Sequence, residues 1–127
     1  MINRRLALLA LLACLAALLP GSTLANGGQV RIDRQRVGAY DVTVTSSPSP
    51  LRVGLVDISV LLQRPETDEP VLDARLLVMA EPLDGGDPIE HPATQDQATE
   101  PNYYAAEFEI PSEGTWRFTV LVDGPEG

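Results

Sequence analysis

One acidic segment holds the residues whose types could do chemistry. His91 is the only histidine of the 127-residue chain, and it follows Asp84, Asp87 and Glu90 within residues 83–102. Imidazole and carboxylate groups bind metals, but closed transition-metal sites need about four well-placed donors. A single histidine among loop carboxylates is therefore better explained as an exposed loop residue than as a metal ligand.

Copper(I) would require softer ligands, since it prefers thiolates and thioethers. Met79 is the only methionine besides Met1, and no Met-x-x-Met pair or second histidine accompanies it. His91, Met79 and Glu90 are therefore weak metal candidates. We expect no cofactor, with copper as the alternative.

No catalytic set can be assembled from the available side chains. The only cysteine, Cys14, lies in the N-terminal apolar segment, so neither a Cys–His nor a Ser–His–Asp arrangement is available. Glu107 and Glu109 share the solvent face of one predicted strand, where they favour solubility over acid–base work. Residues 84–87 lack the ligand spacing of calcium loops and predict a turn. The sequence thus predicts a protein that is not an enzyme, with no evident small-molecule substrate.

The first 25 residues predict a targeting signal. Two arginines precede an apolar run over residues 6–19, and small residues occupy the −3 and −1 positions of a peptidase site ending at Ala25. We expect a signal helix that is removed after Ala25, which would export the domain to the periplasm or the cell exterior. Retention as an anchor and lipidation at Cys14 are the alternatives, and either would be the domain's one tie to the membrane.

The expected mature domain, residues 26–127, is strongly acidic. Loss of the two N-terminal arginines leaves seven arginines and no lysine against eighteen acidic residues, a formal charge of −11. A field of that sign repels phosphate backbones, which excludes nucleic acid as a partner. The length suits one small domain.

Period-two alternation recurs after residue 25, with turn residues between the runs, and no helical period is sustained. The strongest runs are residues 53–63, 71–80, 104–110 and 116–122. We expect the last two to form a hairpin, and the run at 71–80 to place Leu72 on the core face. The pattern predicts an all-β, immunoglobulin-like antiparallel sandwich of six to seven strands, with residues 83–101 mostly loop.

Alternation also divides the apolar residues between two faces. The predicted core residues are Tyr40, Ile58, Val60, Leu76, Tyr104, Phe108, Trp116 and Phe118. The apolar residues on the opposite strand faces are Leu61, Leu77, Met79 and Leu121. If their strands are neighbours in one sheet, these four form an apolar interaction surface. The alternative is that the loop at 83–101 folds back over them.

Five sequence motifs follow one another along the mature chain: a tyrosine-led strand, a proline segment, a Gly-x-x-x-hydrophobic strand, a Pro-Val-x-x-Ala strand and a Tyr-x-Ala…Gly-x-Trp pair. They are carried by Tyr40, Pro48, Pro50, Gly54, Pro70, Val71, Ala74, Tyr104, Ala106, Gly114 and Trp116. Through them the chain resembles the YtkA-like and FixH-like extracytoplasmic domains. The resemblance implies an immunoglobulin-like domain outside the cytoplasmic membrane. Its FixH-like branch implies a role in copper supply and oxidase assembly.

Residues 123–127 carry a turn signal with no strand after it. Since an immunoglobulin-like sandwich normally has one more strand, three explanations stay open: the sequence is part of a longer chain, the fold has fewer strands, or a partner strand fills the edge. We expect a non-enzymatic exported interaction domain with a protein partner in the cell envelope. A metal-binding chaperone built on His91 and a purely structural envelope β-domain are the alternatives.

Overall fold

The computed structural model describes the backbone of residues 5–12 and all of residues 29–48 and 51–127. These residues form eight strands in two four-stranded antiparallel sheets. The strands are β1 (Arg5–Leu12), β2 (Gln29–Val37), β3 (Tyr40–Ser47), β4 (Gly54–Gln63), β5 (Arg75–Pro82), β6 (Ile89–Ala93), β7 (Tyr104–Ile110) and β8 (Trp116–Asp123). The first sheet has the order β2-β3-β4-β7 and the second β1-β8-β5-β6, which confirms the all-β sandwich.

Eight strands exceed the six to seven expected, and two of the eight lie in segments that the sequence assigned differently. β6 lies within the predicted loop, and β1 lies within the predicted signal helix. Arg5–Leu12 is extended and pairs with β8 over its whole length. The remainder of residues 1–25, including Cys14 and Ala25, lies outside the described residues. Within residues 5–12, 29–48 and 51–127, no helix has the length and apolar content needed to cross a bilayer.

The core lies between the two sheets, where alternate residues of the facing strands meet. The eight expected core residues are all buried, at 7% exposure or less, and Tyr40, Trp116 and Phe118 are the largest of those that are almost completely enclosed. Burial of one large apolar side chain contributes about 1.5–3 kcal/mol. The sheets are therefore held together chiefly by this shared layer.

The expected hairpin of β7 and β8 is wrong, because the two strands lie in different sheets. β7 pairs with β4, and β8 pairs with β5. Residues 111–115 carry the chain across the sandwich, whose sheets pack about 10 Å apart. Trp116 is buried just after this crossing, and its indole Nε1 donates to the carbonyl oxygen of Ser112 at 3.1 Å. Alternation identified two strands with one buried face each, but it did not specify their pairing partners.

The expected burial of Leu72 is also wrong. β5 begins only at Arg75, and Leu72 is 49% exposed while Val71 is completely buried. The backbone of Val71 is fixed on both sides: its N–H donates to Leu62 O at 2.9 Å, and its carbonyl accepts the Tyr104 hydroxyl at 2.7 Å. These bonds turn Val71 inward and Leu72 outward, and the expected alternation holds only further along, where Leu76 and Val78 are buried.

Residues after β6 cover an edge of the first sheet. Thr94 and Ala105 exchange two backbone hydrogen bonds of 2.9 and 2.8 Å, and the Gln97 side-chain oxygen accepts the Glu107 N–H at 3.0 Å. The segment thus runs along β5 as β6 and then along β7. It closes the β7 side of the first sheet instead of lying as a free loop.

Candidate functional site

Three of the four outward apolar residues lie together on the second sheet. Leu77 of β5 is directly opposite Leu121 of β8, and Met79 is opposite Thr119 in the next outward row. The alternate residues Leu76 and Val78 are buried, while Leu77, Met79 and Leu121 keep partial exposure. We call Leu77, Met79 and Leu121 the outer patch.

Leu61 does not belong to the outer patch. It lies in β4 of the first sheet, opposite Thr43 of β3, and therefore on the other outside surface of the sandwich. Alternation correctly separates outward from inward positions within one strand. It carries no information on which sheet the strand joins, and this is why the four residues appeared to be one group.

The segment at 83–101 borders the outer patch and does not fold over it. β6 extends the second sheet laterally, with Pro92 opposite Leu77 and Glu90 opposite Met79. A strand that is hydrogen-bonded in the plane of a sheet leaves the faces of its neighbour uncovered. The described residues therefore leave the outer patch open on its solvent side.

Charged pairs flank the outer patch at both ends of β5 and β8. Arg75 is opposite Asp123 at one end, and Glu81 is opposite Arg117 at the other. A recess of about 180 Å³ lies at the first end, lined by Arg75, Leu76, Leu77, Leu121, Val122 and Asp123. An apolar centre with charged ends is suited to contact with another protein surface.

The metal candidates do not converge. Met79 and Glu90 are opposite each other on the outer face, whereas His91 is opposite Val78 on the inner face. The His91 ring stacks on Phe108 with centroids 5.8 Å apart, and its Nδ1 is 2.9 Å from the carbonyl oxygen of Pro92. Period-two alternation separates neighbours on one strand. In the part of the chain that is described, no group of three or more His, Cys, Asp or Glu residues could hold a metal ion.

An open groove of about 460 Å³ lies beside the start of β5, and the sequence did not predict it. Leu72, Ala74, Pro92, Gln95 and Tyr104 are among its lining residues. The Tyr104 hydroxyl is already occupied, since it accepts the Ala74 N–H at 3.1 Å and donates to a backbone carbonyl. Burial raises the pKa of this hydroxyl, so it stays protonated. The Tyr104 hydroxyl therefore ties two backbone segments together and is not free for acid–base chemistry.

A cluster of charges on the first sheet was also missed. Asp41 accepts Arg36 Nε at 2.8 Å and Arg34 Nε at 3.0 Å, and Arg34 also pairs with Asp68. The Arg36 hydrogen bond and then that of Arg34 lower the pKa of Asp41. The i, i+2 spacing of Arg34 and Arg36 could have indicated that both lie on one face of β2. Their convergence, however, depends on register shifts in β2 that cannot be deduced from alternation.

Comparison with known proteins gives one result. A sequence model described as YtkA-like matches residues 34–121, which is more than two thirds of the chain. The match begins within β2 and ends within β8, so it includes most of both sheets and all of the outer patch. No curated protein and no solved structure matches the chain.

Proposed function

The chain belongs to the YtkA-like family, and on that premise we propose that it is a non-enzymatic interaction domain of the cell envelope that binds a protein partner through the outer patch. The observation that carries the proposal is the register of β5 and β8. It places Leu77 against Leu121, with Met79 in the adjacent row, on a face that the fold does not use for its own core.

The composition of the outer patch indicates the chemistry of the partner. Contiguous outward apolar residues on neighbouring strands are typical of protein-binding surfaces. Glu81, Glu90 and Asp123 surround the patch together with Arg75 and Arg117, and the mature domain is expected to carry a charge of −11. Because opposite charge favours encounter, the negative charge of the whole domain favours a partner whose apolar surface lies in a region rich in Arg or Lys.

The contacts of His91 support a role without catalysis or resident metal. Its ring packs on Phe108, and it lies on the face of β6 opposite to Met79 and Glu90. These residues give no observation in favour of a copper chaperone built on them. The family resemblance supports a partner among proteins of copper handling or oxidase assembly, and the apolar run over residues 6–19 supports export.

Site-specific photo-crosslinking in native cells tests the proposal. A photoreactive residue at Leu77 would probe the outer patch, and a matched probe at Thr45, which lies opposite Ser59 on the outside of the first sheet, would serve as the control. We expect mass spectrometry to identify one specific adduct from Leu77 and none from Thr45. Equal adducts from both positions, or none from Leu77, would contradict docking at this face and favour the purely structural β-domain.

A further inference from the structure

Three edge strands of the two sheets, β2, β6 and β7, are protected against further strand pairing. β2 has register shifts and a positive φ of 48° at Arg34, β6 is short and contains Pro92, and β7 is bridged by Thr94. Bulges, prolines and covering segments are the devices by which natural sheets avoid unwanted strand addition. β8 has none of them: its eight residues are proline-free and pair on both sides without a register shift.

The pairing of β8 with β1 shows what this edge accepts. β1 runs antiparallel to β8, with Arg5 opposite Asp123. The other pairs place apolar residues opposite the buried positions of β8: Leu6 with Val122, Leu8 with Val120, Ala10 with Phe118 and Leu12 with Trp116. In β1, this edge holds a strand with an arginine opposite Asp123 and apolar residues opposite each buried position of β8.

Removal of the expected signal segment would empty this edge of β8. β1 lies within the segment that the sequence expects to be removed after Ala25. Its loss would leave one side of β8 with backbone N–H and C=O groups that no longer have strand partners. Such an edge is a template for another strand.

The sequence of β8 itself fits this template. When a second β8 is placed antiparallel in the register of β1, its Arg117 takes the position of Arg5, and Phe118, Val120 and Val122 take those of Leu6, Leu8 and Ala10. We propose that the exported domain forms a symmetric dimer in which β8 pairs with β8 of a second copy. The resulting pairs are Arg117 with Asp123, Phe118 with Val122, Thr119 with Leu121, and Val120 with itself.

Charge and symmetry favour a second copy over an unrelated strand. The twofold axis passes through Val120, so the Arg117–Asp123 pair forms twice, once at each end of the interface. Opposite charges in facing positions stabilise antiparallel strands, and a self-complementary patch is what a closed twofold dimer requires. Because Leu121 would lie opposite Thr119 of the second copy, the two outer patches would join on one face of a continuous sheet.

Cysteine crosslinking of the exported protein tests the dimer and its register together. The protein is purified from the envelope or the medium, and its N-terminus is determined by mass spectrometry. A chain cleaved after Ala25 has no cysteine of its own, so any disulfide comes from the introduced residue. We expect Val120→Cys to give a covalent dimer. The matched control Val78→Cys, equally buried and opposite Val120 on β5, should give none.

A mixed experiment checks the register with outward positions. Thr119→Cys and Leu121→Cys chains should crosslink when mixed and much less when each is alone, because each residue faces the other across the axis. Pair types alternate along antiparallel strands, so one of the two tests falls on the close type, with Cα atoms about 4.5 Å apart. Both pair types lie within the Cα range of disulfides, about 4.4–6.8 Å.

Sedimentation equilibrium completes the test without any substitution. We expect twice the mass of the cleaved chain. The proposal is overturned by a monomer at all concentrations, by crosslinking of Val78→Cys as readily as of Val120→Cys, by disulfides to a different protein, or by an exported chain that keeps residues 5–12 and stays monomeric. None of these results depends on the identity of the partner that the outer patch binds.

Discussion

The two outside faces of the sandwich are built by the same alternation but carry opposite chemistry. On the first sheet, polar groups bind one another: Asp41 holds Arg34 and Arg36, and the Ser59 hydroxyl donates to Asp57 at 2.6 Å. On the second sheet, Leu77, Met79 and Leu121 lie in adjacent rows. A face whose polar groups are mutually satisfied has little to gain from a partner, whereas an apolar face gains free energy when it is covered.

Scattered apolar residues do not remove this contrast. Leu55, which is 61% exposed, and Leu61 both lie on the outside of β4, but they are six residues apart and have Glu109 and Thr43 as neighbours. Single exposed leucines are common on soluble proteins and need no function. What distinguishes the second sheet is contiguity across strands.

The largest expected effect comes from two adjacent residues of β5. Leu76→Ala removes a core side chain that is 4% exposed and should lower the free energy of unfolding by about 2–5 kcal/mol. Leu77→Ala, on the outer face, should cost less, about 1 kcal/mol, because its side chain is only partly buried. Urea denaturation measures both.

The two variants should rank in the opposite order for binding. Leu77→Ala is expected to abolish capture by a photoreactive probe at Leu121, while folded Leu76→Ala should keep it. Similar losses of stability for the two variants would show that the outer face contributes to the core. That result would remove the distinction between the two sides of β5.

An intermediate effect is expected where the end of β8 meets the first sheet. A Cβ added at Gly124 would lie 2.2 Å from the Tyr40 hydroxyl, and Tyr40 is completely buried in β3. Gly124→Ala should therefore cost about 1–3 kcal/mol, as overpacking in a core does. Thermal or urea unfolding of the purified variant would measure this loss.

A double-mutant cycle with Tyr40→Phe tests the cause. Tyr40→Phe removes the atom that the new methyl group meets first, although it also deprives the Glu126 N–H of its acceptor at 2.8 Å. Gly124→Ala should then cost less in the Tyr40→Phe background than in the wild type. Additive costs would mean that the close approach of the two residues is relieved elsewhere.

The smallest expected effect concerns the charge cluster of the first sheet. Arg36 and Arg34 lower the pKa of Asp41 in the folded protein, whereas its unfolded value is about 3.9. The stabilisation that Asp41 provides is therefore present above about pH 4 and is lost as the pH falls through the folded pKa. Melting temperatures recorded between pH 6 and pH 2 should fall more steeply for the wild type than for Asp41→Asn.

Salt provides the control for this comparison. Exposed ion pairs are screened at high ionic strength, so the difference between wild type and Asp41→Asn should shrink in 1 M salt, where the Debye length is about 3 Å. Asp41→Asn should also leave capture at Leu77 unchanged, because the two residues lie on opposite faces. Parallel pH curves for the two proteins at low salt would argue against the ion pairs of Asp41.

The sequence was sufficient to predict which side chains face the core and which face outward, but not which strands are neighbours in a sheet. Leu76 and Phe118 were assigned to the core, and Leu77 and Leu121 to the exterior, because a side chain's face depends only on its position in its own strand. The expected β7–β8 hairpin was wrong, and Leu61 was grouped with residues of the other sheet. Pairing is decided by distant parts of the chain, and local alternation does not record it.

The limits of sequence information are clearest at Val71 and His91. The bonds that turn Val71 inward come from Leu62 and Tyr104, and the ring on which His91 packs comes from β7. Hydrophobic periodicity and turn residues were sufficient to predict an all-β sandwich with an apolar core, since both are local properties of each segment. The tertiary structure alone decided which outward residues meet, because strand pairing and register join segments that are far apart in sequence.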